Sequence, residues 1–217
     1  MSIQTATDTI AAIATPLGNG GIGVVRLSGP QAGDIFNQVF TGESAPLAHP
    51  RRLILGQVRD GSGAVLDSCL GVWMPGPHSY TGEDVAELQC HGGVRLLRLV
   101  LQSLLDAGAR LANPGEFTLR AFLNGRLDLS QAEAVLDLIQ AKTPTTVQLA
   151  TAQLQGALGK PLAQLEAALT QLRAALTVAV DFPEDADAPS PQQILDSLDQ
   201  MGTELDRLLR NADQGQL

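Results

Sequence analysis

The sequence predicts an α+β protein, in which a mixed β-sheet domain is followed by an all-α segment that is part of a helical bundle. Up to about residue 126, short runs with strand-like alternation are separated by turns and a few short helices. Beyond Asp128 the strand signals disappear and apolar residues recur at helical spacing. Residues 1–126 carry nine basic and ten acidic side chains, whereas residues 127–217 carry five and thirteen. The net charge of −9 is thus the sum of −1 and −8, and we expect two domains.

The composition indicates a folded protein and excludes several classes. Hydrophobic residues make up 44% of the chain and charged residues 17%, as in globular domains and unlike disordered chains. The acidic second part should repel phosphate backbones, and the nearly neutral first part offers no basic platform for a nucleic acid.

Membrane and secretory classes are not supported either. No apolar run approaches the ~20 residues of a membrane helix, and no basic residue precedes Arg26, unlike in a secretory signal. Cys69 and Cys90 are the only cysteines, too few to suggest a disulfide scaffold. We therefore expect a cytoplasmic protein with no membrane partner.

Five strands and two or three short helices are predicted in the first domain, and two of the helices can be placed. Pro30 is placed to open the first helix, and its apolar face consists of Ile35, Phe36, Val39 and Phe40. The second helix follows a Gly-Gly pair at 92–93 and runs to about Ala107. The Asp-Gly-Ser-Gly turn at 60–63 predicts a hairpin between the third and fourth strands. The predicted strands are Asp8–Thr15, Ile22–Ser28, Arg52–Arg59, Ala64–Met74 and Asp84–Cys90.

Three helices are predicted in the second part. Ser130 and Glu133 form an S-x-x-E pattern, which predicts a capping box at the start of the first helix. Thr143-Pro144 is expected to open a second, long helix, because proline is favoured at the first helical position. Ser190-Pro191 is expected to open the third in the same way.

The long second helix contains Gly159 and Pro161, which should kink or briefly break it before it ends at Asp181-Phe-Pro183. The apolar positions of the third helix step by 4, 3, 4 and 3 residues, the spacing of a helix packed against others. These positions are Ile194, Leu198, Met201, Leu205 and Leu208. We interpret the segment as half of a helical domain, and a complete three-helix bundle remains the alternative.

Signatures of nucleotide or metal chemistry are not supported by their context. Gly18–Gly23 matches G-x-G-x-x-G, but a strand-like run follows where a dinucleotide site requires a helix. A P-loop requires G-x-x-x-x-G-K-[S/T], and the only Gly-Lys pair, Gly159-Lys160, precedes a proline. The cysteines and histidines lack the spacing of a zinc site, so no metal site is predicted.

Three places carry polar residues that packing does not readily explain. Glu87 lies in the middle of a predicted strand, where it is either a solvated outward carboxylate or a ligand-binding one. Arg26 also lies mid-strand, beside a glycine-rich loop that lets a ligand approach the backbone closely. The third place is the polar connection over 113–129, at the expected domain border, where ligand sites often form. No catalytic residue is predicted.

Taken together, these segments closely resemble the MnmE (TrmE) family of tRNA-modification GTPases. The resemblance covers nearly the whole chain, in order. The matching stretches are Asp8–Pro16, Gly20–Gly29, Pro75–Gly93, Asn113–Thr118, Arg120–Leu129, Gln131–Glu133 and Asp181–Pro183.

The resemblance implies that residues 1–118 form a tetrahydrofolate-binding, dimerising domain of aminomethyltransferase-like fold, and that residues 119–217 form the first half of a helical domain. In the family an inserted G domain interrupts the helical domain, and this chain ends where the insertion would begin. GTP, Mg²⁺ and K⁺ would then belong to the absent G domain. Family members work with the flavoprotein MnmG to add a carboxymethylaminomethyl-type group to carbon 5 of the wobble uridine of certain tRNAs.

The folate-contacting positions of the family map onto Arg26, Glu87 and Arg126. The first two match in kind, whereas other members carry a lysine at the third, so Arg126 keeps the charge but changes its geometry. The cofactor implied is 5-formyl- or methylene-tetrahydrofolate. The amino group and ring N–H of a pterin suit the Glu87 carboxylate, and the tail carboxylates of folate suit arginine.

Two other functions remain open at this point. A free-standing, folate-dependent aminomethyltransferase-like protein would share a related first domain, but the helical pattern after Asp128 argues against it. A non-catalytic dimerisation module of a larger GTPase is partly compatible with the first interpretation, and binding of a reduced folate separates the two.

Overall fold

The computed structural model describes residues 8–182 and 189–213. The chain divides after Leu127 into two compact units. The first contains a mixed sheet with helices, and the described part of the second contains helices alone. This confirms the predicted α+β class. Pro183, part of the motif expected to end the long helix, lies outside the described residues.

A seven-stranded sheet forms the first unit. Its strands are β1 (Ile10–Ile13), β2 (Gly20–Ser28), β3 (Phe40–Gly42), β4 (Ile54–Arg59), β5 (Val65–Met74), β6 (Val85–Gly92) and β7 (Arg110–Leu111). They are arranged in the order β3-β4-β5-β6-β2-β1-β7. All neighbours are antiparallel except β1 and β7, which are parallel. The predicted hairpin is present as β4 and β5.

Helices cover one face of this sheet. They are α1 (Ala32–Val39) and α2 (Val94–Asp106), and α3 (Glu116–Leu123) follows β7. The core between sheet and helices contains Val25, Leu27, Phe36, Leu88, Leu97 and Val100. Gly23 leaves room for this packing, since a Cβ there would lie 2.4 Å from Cδ1 of Leu97 and the leucine would have to shift. The glycine-rich segment therefore allows α2 to pack closely on β2.

The first predicted helix differs from the structure at both ends. It begins at Ala32 rather than at Pro30, and it ends at Val39, because Phe40 already has extended backbone and starts β3. The ring of Phe40 stacks on Phe36 with centroids 5.2 Å apart. Burial of that ring is compatible with a strand residue, so the apolar pattern by itself did not define the helix end.

Within the described residues of the second unit, 128–182 and 189–213, the structure has four helices, one more than predicted. They are α4 (Leu129–Gln140), α5 (Pro144–Leu154), α6 (Gly159–Asp181) and α7 (Pro191–Asp213). The expected break near Gly159 and Pro161 is complete and separates α5 from α6. Thr143 caps α5 as predicted, with its hydroxyl accepting from the backbone N–H of Thr146. In this unit the buried hydrophobic residues that the structure describes are Ala134, Ala150 and Leu208.

The capping box of α4 lies two residues before the predicted one. The Asp128 carboxylate accepts from the backbone N–H of Gln131 over 2.8 Å, and the Gln131 side chain accepts from the backbone N–H of Asp128 over 2.9 Å. Ser130 instead donates its hydroxyl to the Asp128 carboxylate. An ionised carboxylate is a stronger acceptor for helical N–H groups than a hydroxyl, and it favours the earlier start.

The border between the units lies beyond the one expected from the sequence. Residue 118 falls inside α3, whereas the first compact unit extends to Leu127. Arg120 of α3 is buried and bonded to Asp8 and Glu83, so this helix is part of the sheet domain. Within 8–182 and 189–213, no helix has the length and apolar content needed to cross a membrane.

Replacing Asp128 with alanine should fray the start of α4. Loss of an N-cap costs about 1 kcal/mol, which corresponds to roughly fivefold faster amide exchange at Gln131 if opening is local. Amide hydrogen exchange followed by NMR measures this. Ser130→Ala is the matched control and should change the exchange rate much less. Equal effects of the two variants would contradict the Asp128 cap and support a cap at Ser130.

Candidate functional site

Arg26 and Glu87 lie directly opposite each other on adjacent strands. The β2–β6 register pairs them across the ladder, and Nε of Arg26 donates to Oε1 of Glu87 over 2.7 Å. Their sequence neighbours Val25, Leu27 and Leu88 are fully buried in the helix-covered core. Because side chains alternate along a strand, the ion pair lies on the other face. Its side chains are 27% and 17% exposed, so the pair is half-buried and retains some contact with solvent.

Two aromatic rings lie beside this ion pair. The guanidinium carbon of Arg26 is 5.3 Å from the ring centroid of Tyr80 and 5.6 Å from that of Phe117. Both distances are within the range of cation–π attraction. The Tyr80 hydroxyl and Thr118 Oγ1 are 2.9 Å apart and share a hydrogen bond. The loop before β6 and helix α3 therefore meet over Arg26.

Tyr80 and Phe117 are not among the site residues predicted from the sequence. Both lie within the stretches that carry the family resemblance, and Tyr80 is the only tyrosine of the chain. Aromatic residues make up only 3% of the sequence. A lone tyrosine in a polar, glycine-containing loop was the available signal, but nothing local indicates that it reaches Arg26.

The loop over residues 75–84 is held from several sides. Arg51 has a left-handed φ of 62°, and its Nη2 donates to the carbonyl oxygens of Pro75 and His78. Asn124 donates to the carbonyl of Thr81 over 2.8 Å. Gly82 has a φ of +80° and meets the side chains that follow α3, where a Cβ would be crowded.

Arg126 is the third predicted site residue, and the structure brings it to this loop. Its Nε donates to the carbonyl oxygen of Ser79 over 3.1 Å, next to Tyr80 in the chain. The bond goes to the loop backbone, whereas Arg26 and Glu87 bond to each other. The three predicted residues therefore lie in one unit, but Arg126 has a different partner from the other two.

A cluster of ion pairs anchors α3 beneath the loop. Arg120 is only 3% exposed and donates to Asp8, Glu83 and Glu116. Arg110 bridges Asp8 and Glu116 from the surface side. The Nε of Arg120 is buried without a hydrogen-bond partner among the described residues. Removing one partner of such a buried charge is costly, because the remaining charge is left uncompensated.

Glu83 connects this cluster to the loop. Its carboxylate accepts from the Ser28 hydroxyl over 2.7 Å, as well as from Arg120. Ser28 and Thr81 are both fully buried, and their hydroxyl oxygens lie 2.7 Å apart. Ser28 is two residues from Arg26 on β2. The chain of bonds thus joins α3, the loop and the strand that carries Arg26.

The ion pairs shift the acidity of their carboxyl groups. Hydrogen bonds from Arg110 hold the pKa of Glu116 at about 2, against an ordinary value of 4.5; burial acts in the opposite direction. A hydrogen bond from Arg110 likewise lowers the pKa of Asp8. Both carboxylates are therefore ionised at neutral pH, and the cluster stabilises the folded chain through charge.

The two cysteines lie together in the core. Both are buried and have free thiols. A hydrogen bond with the Cys69 thiol, together with burial, raises the pKa of Cys90, so it is protonated at neutral pH. Groups of three or more potential metal-ligating side chains are absent from the part of the chain that the structure describes.

Comparison with known proteins identifies the family. The family model described as "GTP-binding protein TrmE N-terminus" matches residues 9–126, more than half of the chain. The chain belongs to the MnmE (TrmE) family. A second model, described as "MnmE helical domain", matches residues 129–217. The resemblance inferred from the sequence motifs is thereby confirmed.

Similar proteins carry the name "tRNA modification GTPase MnmE". The one from Syntrophus aciditrophicus (strain SB) is 47% identical over 212 residues, which cover 97% of this chain and 46% of the relative. The one from Roseiflexus castenholzii (strain DSM 13941 / HLO8) is 50% identical over 208 residues, which cover 96% of this chain and 44% of the relative. The one from Pseudomonas putida (strain GB-1) is 46% identical over 216 residues, which cover 99% of this chain and 46% of the relative. The chain spans about half the length of the curated relatives it matches.

Replacing Glu116 with glutamine should lower the free energy of unfolding at neutral pH. It should also remove part of the loss of stability that the unmodified chain shows in acid. The folded pKa of about 2 lies below the unfolded value of 4.5, so the stabilising contribution is complete above 4.5 and is lost as pH falls towards 2. A lost charge-assisted hydrogen bond costs about 1.5–3 kcal/mol, or a fall in Tm of roughly 5–10 °C at pH 7. Thermal unfolding followed by circular dichroism between pH 7 and pH 2 measures the effect.

The difference in Tm between Glu116→Gln and the unmodified chain should narrow across that pH window. Glu43→Gln is the control, because Glu43 is exposed on the same unit and should leave Tm nearly unchanged at every pH. A difference that stays constant from pH 7 to pH 2 would show that Glu116 acts through shape and not through its charge.

Proposed function

We propose that the first unit binds a reduced folate, 5-formyl- or methylene-tetrahydrofolate, as the one-carbon donor for tRNA modification. The observation that carries the proposal is the accessible ion pair of Arg26 and Glu87, bounded by two aromatic rings. A folate has a flat pterin ring with paired donors and a tail with carboxylates. The site offers a complementary group for each of these parts.

The role proposed for Glu87 is to accept hydrogen bonds from the pterin. An ionised carboxylate accepts two parallel N–H bonds in one plane, and the ring N–H and amino group of a pterin are arranged in that way. At 17% exposure the side chain is largely removed from water. A carboxylate in that position needs charged or hydrogen-bonding partners, since burial without them is unfavourable.

The arginines are proposed to bind the anionic part of the folate. Arg126 is already bonded to the Ser79 carbonyl through Nε, and its two terminal nitrogens form a planar pair of donors suited to a carboxylate. A lysine at this position would retain the charge but has only one nitrogen. The site residues proposed are therefore Arg26, Glu87 and Arg126, with no catalytic residue among them.

For the whole protein we propose the family's activity. The chain would contribute the folate site to a tRNA-modification GTPase that works with the flavoprotein MnmG on the wobble uridine of certain tRNAs, in the cytoplasm. GTP, Mg²⁺ and K⁺ would bind to a G domain outside these 217 residues, since the sequence contains no G-x-x-x-x-G-K-[S/T] motif. The match of residues 129–217 to a helical-domain model favours this over a free-standing aminomethyltransferase-like protein.

Glu87→Gln should weaken binding of 5-formyltetrahydrofolate by about ten- to a hundredfold. The amide keeps the shape but loses the charge and presents a donor where an acceptor is needed, and a charge-assisted hydrogen bond contributes roughly 1.5–3 kcal/mol. Arg126→Lys should have the smaller effect, because the charge remains. Isothermal titration calorimetry measures both, with circular dichroism to verify folding.

The control for these titrations is again Glu43→Gln. This variant loses an exposed carboxylate of the same unit that lies away from the proposed site. It should bind like the unmodified chain. If Glu87→Gln also retains full affinity, Glu87 is a structural partner of Arg26 and the proposed site is wrong.

The 217-residue chain should be a homodimer that does not hydrolyse GTP. The dimer is proposed from the family resemblance, and the lack of turnover from the absent phosphate-binding loop. Light scattering at micromolar concentration and a phosphate-release assay measure the two properties. A monomer mass would contradict the first, and turnover above a buffer control would contradict the second.

A further inference from the structure

The Arg26 guanidinium lies between a carboxylate and two aromatic rings. Its Nε donates to Glu87 over 2.7 Å, and its guanidinium carbon lies 5.3 Å and 5.6 Å from the ring centroids of Tyr80 and Phe117. One carboxylate and two aromatic rings therefore surround a flat cationic group.

A reduced pterin has a closely similar edge. Its amino group and adjacent ring N–H are attached to one carbon and form a planar pair of donors, as in a guanidinium group, and a carboxylate accepts such a pair. Its flat ring can also stack on aromatic side chains, as nucleic-acid bases do. The pterin and the Arg26 side chain thus need the same three residues.

We propose that a pterin ring displaces the Arg26 guanidinium from Glu87, Tyr80 and Phe117. The inference rests on the folate binding proposed above and deepens it in two ways. Tyr80 and Phe117 become ring-binding residues that the sequence motifs did not identify. Arg26 becomes a competitor of the ring, and its released guanidinium pairs with the carboxylates of the folate tail.

The surroundings determine which group moves. Arg26 and Glu87 share a ladder position, so their backbones are held in place by the β2–β6 pairing. The Tyr80 loop is tied to the residues that follow α3 by Asn124, and α3, which carries Phe117, is anchored through buried Arg120. The long side chain of Arg26 has several rotatable bonds, and at 27% exposure it has access to solvent. Its departure requires no change in the fold.

The test compares two ligands on the 217-residue chain by isothermal titration calorimetry. One is 5-formyltetrahydrofolate, and the other is 6-methyltetrahydropterin, which has the ring but no benzoyl-glutamate tail. Arg26→Gln should tighten binding of the pterin about fivefold, because the competing ion pair is lost. The same variant should weaken binding of the folate, because the tail carboxylates lose a cationic partner.

The aromatic residues are tested with the same ligands. Tyr80→Leu and Phe117→Leu should each lower the affinity for both ligands by about tenfold, because the flat ring of the ligand loses a stacking partner. Tyr80→Phe keeps the ring and removes only the hydroxyl bonded to Thr118, so it should bind nearly as the unmodified chain does. Arg98→Gln, at an exposed arginine of α2, is the charge control and should change neither affinity.

The outcomes separate this inference from the proposed function. If the unmodified chain binds the folate but Arg26→Gln weakens or does not change pterin binding, the displacement is wrong and the folate site stands. If neither the unmodified chain nor any variant binds the folate, the proposed function fails and the inference fails with it. As a direct measure, the NMR signal of the Arg26 Nε–H should shift when pterin saturates the protein, and an unchanged signal would also overturn the displacement.

Discussion

The pairing register between β2 and β6 is the constraint on which the site depends. It places Arg26 opposite Glu87 on one face of the sheet, while Val25, Leu27 and Leu88 fill the core on the other. A shift of one residue in either strand would turn its charged residue into the core and its apolar residues to the opposite face. Since burial of an unpaired charge is very costly, the core that stabilises the fold also fixes the ion pair on the accessible face.

A second, polar layer connects this register to the rest of the unit. Buried Arg120 ties α3 to Glu83, and Glu83 is bonded to Ser28 on the same strand as Arg26. The aromatic residues beside Arg26 come from the two elements so joined, the loop before β6 and α3. The stability of the ion cluster and the geometry of the site are therefore coupled, although the cluster does not contact Arg26 itself.

Membership in the MnmE family and the chemistry of the site lead to compatible conclusions by different routes. The family is shown by matches that extend over both units, and these matches do not identify a ligand. The site is described by charge, exposure and aromatic contacts, which suit a flat, donor-bearing ring with an acidic tail. The folate proposal combines the two: the family resemblance suggests the ligand and the residues, and the geometry of Arg26 and Glu87 suits that ligand.

Features set by neighbours in the chain were predictable. Period-two alternation placed Glu87 and Arg26 on the face opposite the apolar core, and the Thr-Pro and Ser-Pro pairs marked where α5 and α7 begin. Local rules were insufficient where two patterns overlap. At α4, Ser130 and Glu133 match a capping box as well as Asp128 and Gln131 do. The helix begins after Asp128, whose carboxylate is a better acceptor than the Ser130 hydroxyl.

Only the tertiary structure decided which distant residues meet. Arg26 and Glu87 are 61 positions apart, and their contact depends on the pairing of β6 with β2 in the sheet. The approach of Tyr80 and Phe117 to Arg26 depends in turn on α3 docking through Arg120. Such contacts follow from the burial of whole elements and from charge neutralisation across the fold. The sequence by itself determined the faces of the strands and the starts of α2, α5 and α7, whereas long-range packing determined the partners within the site.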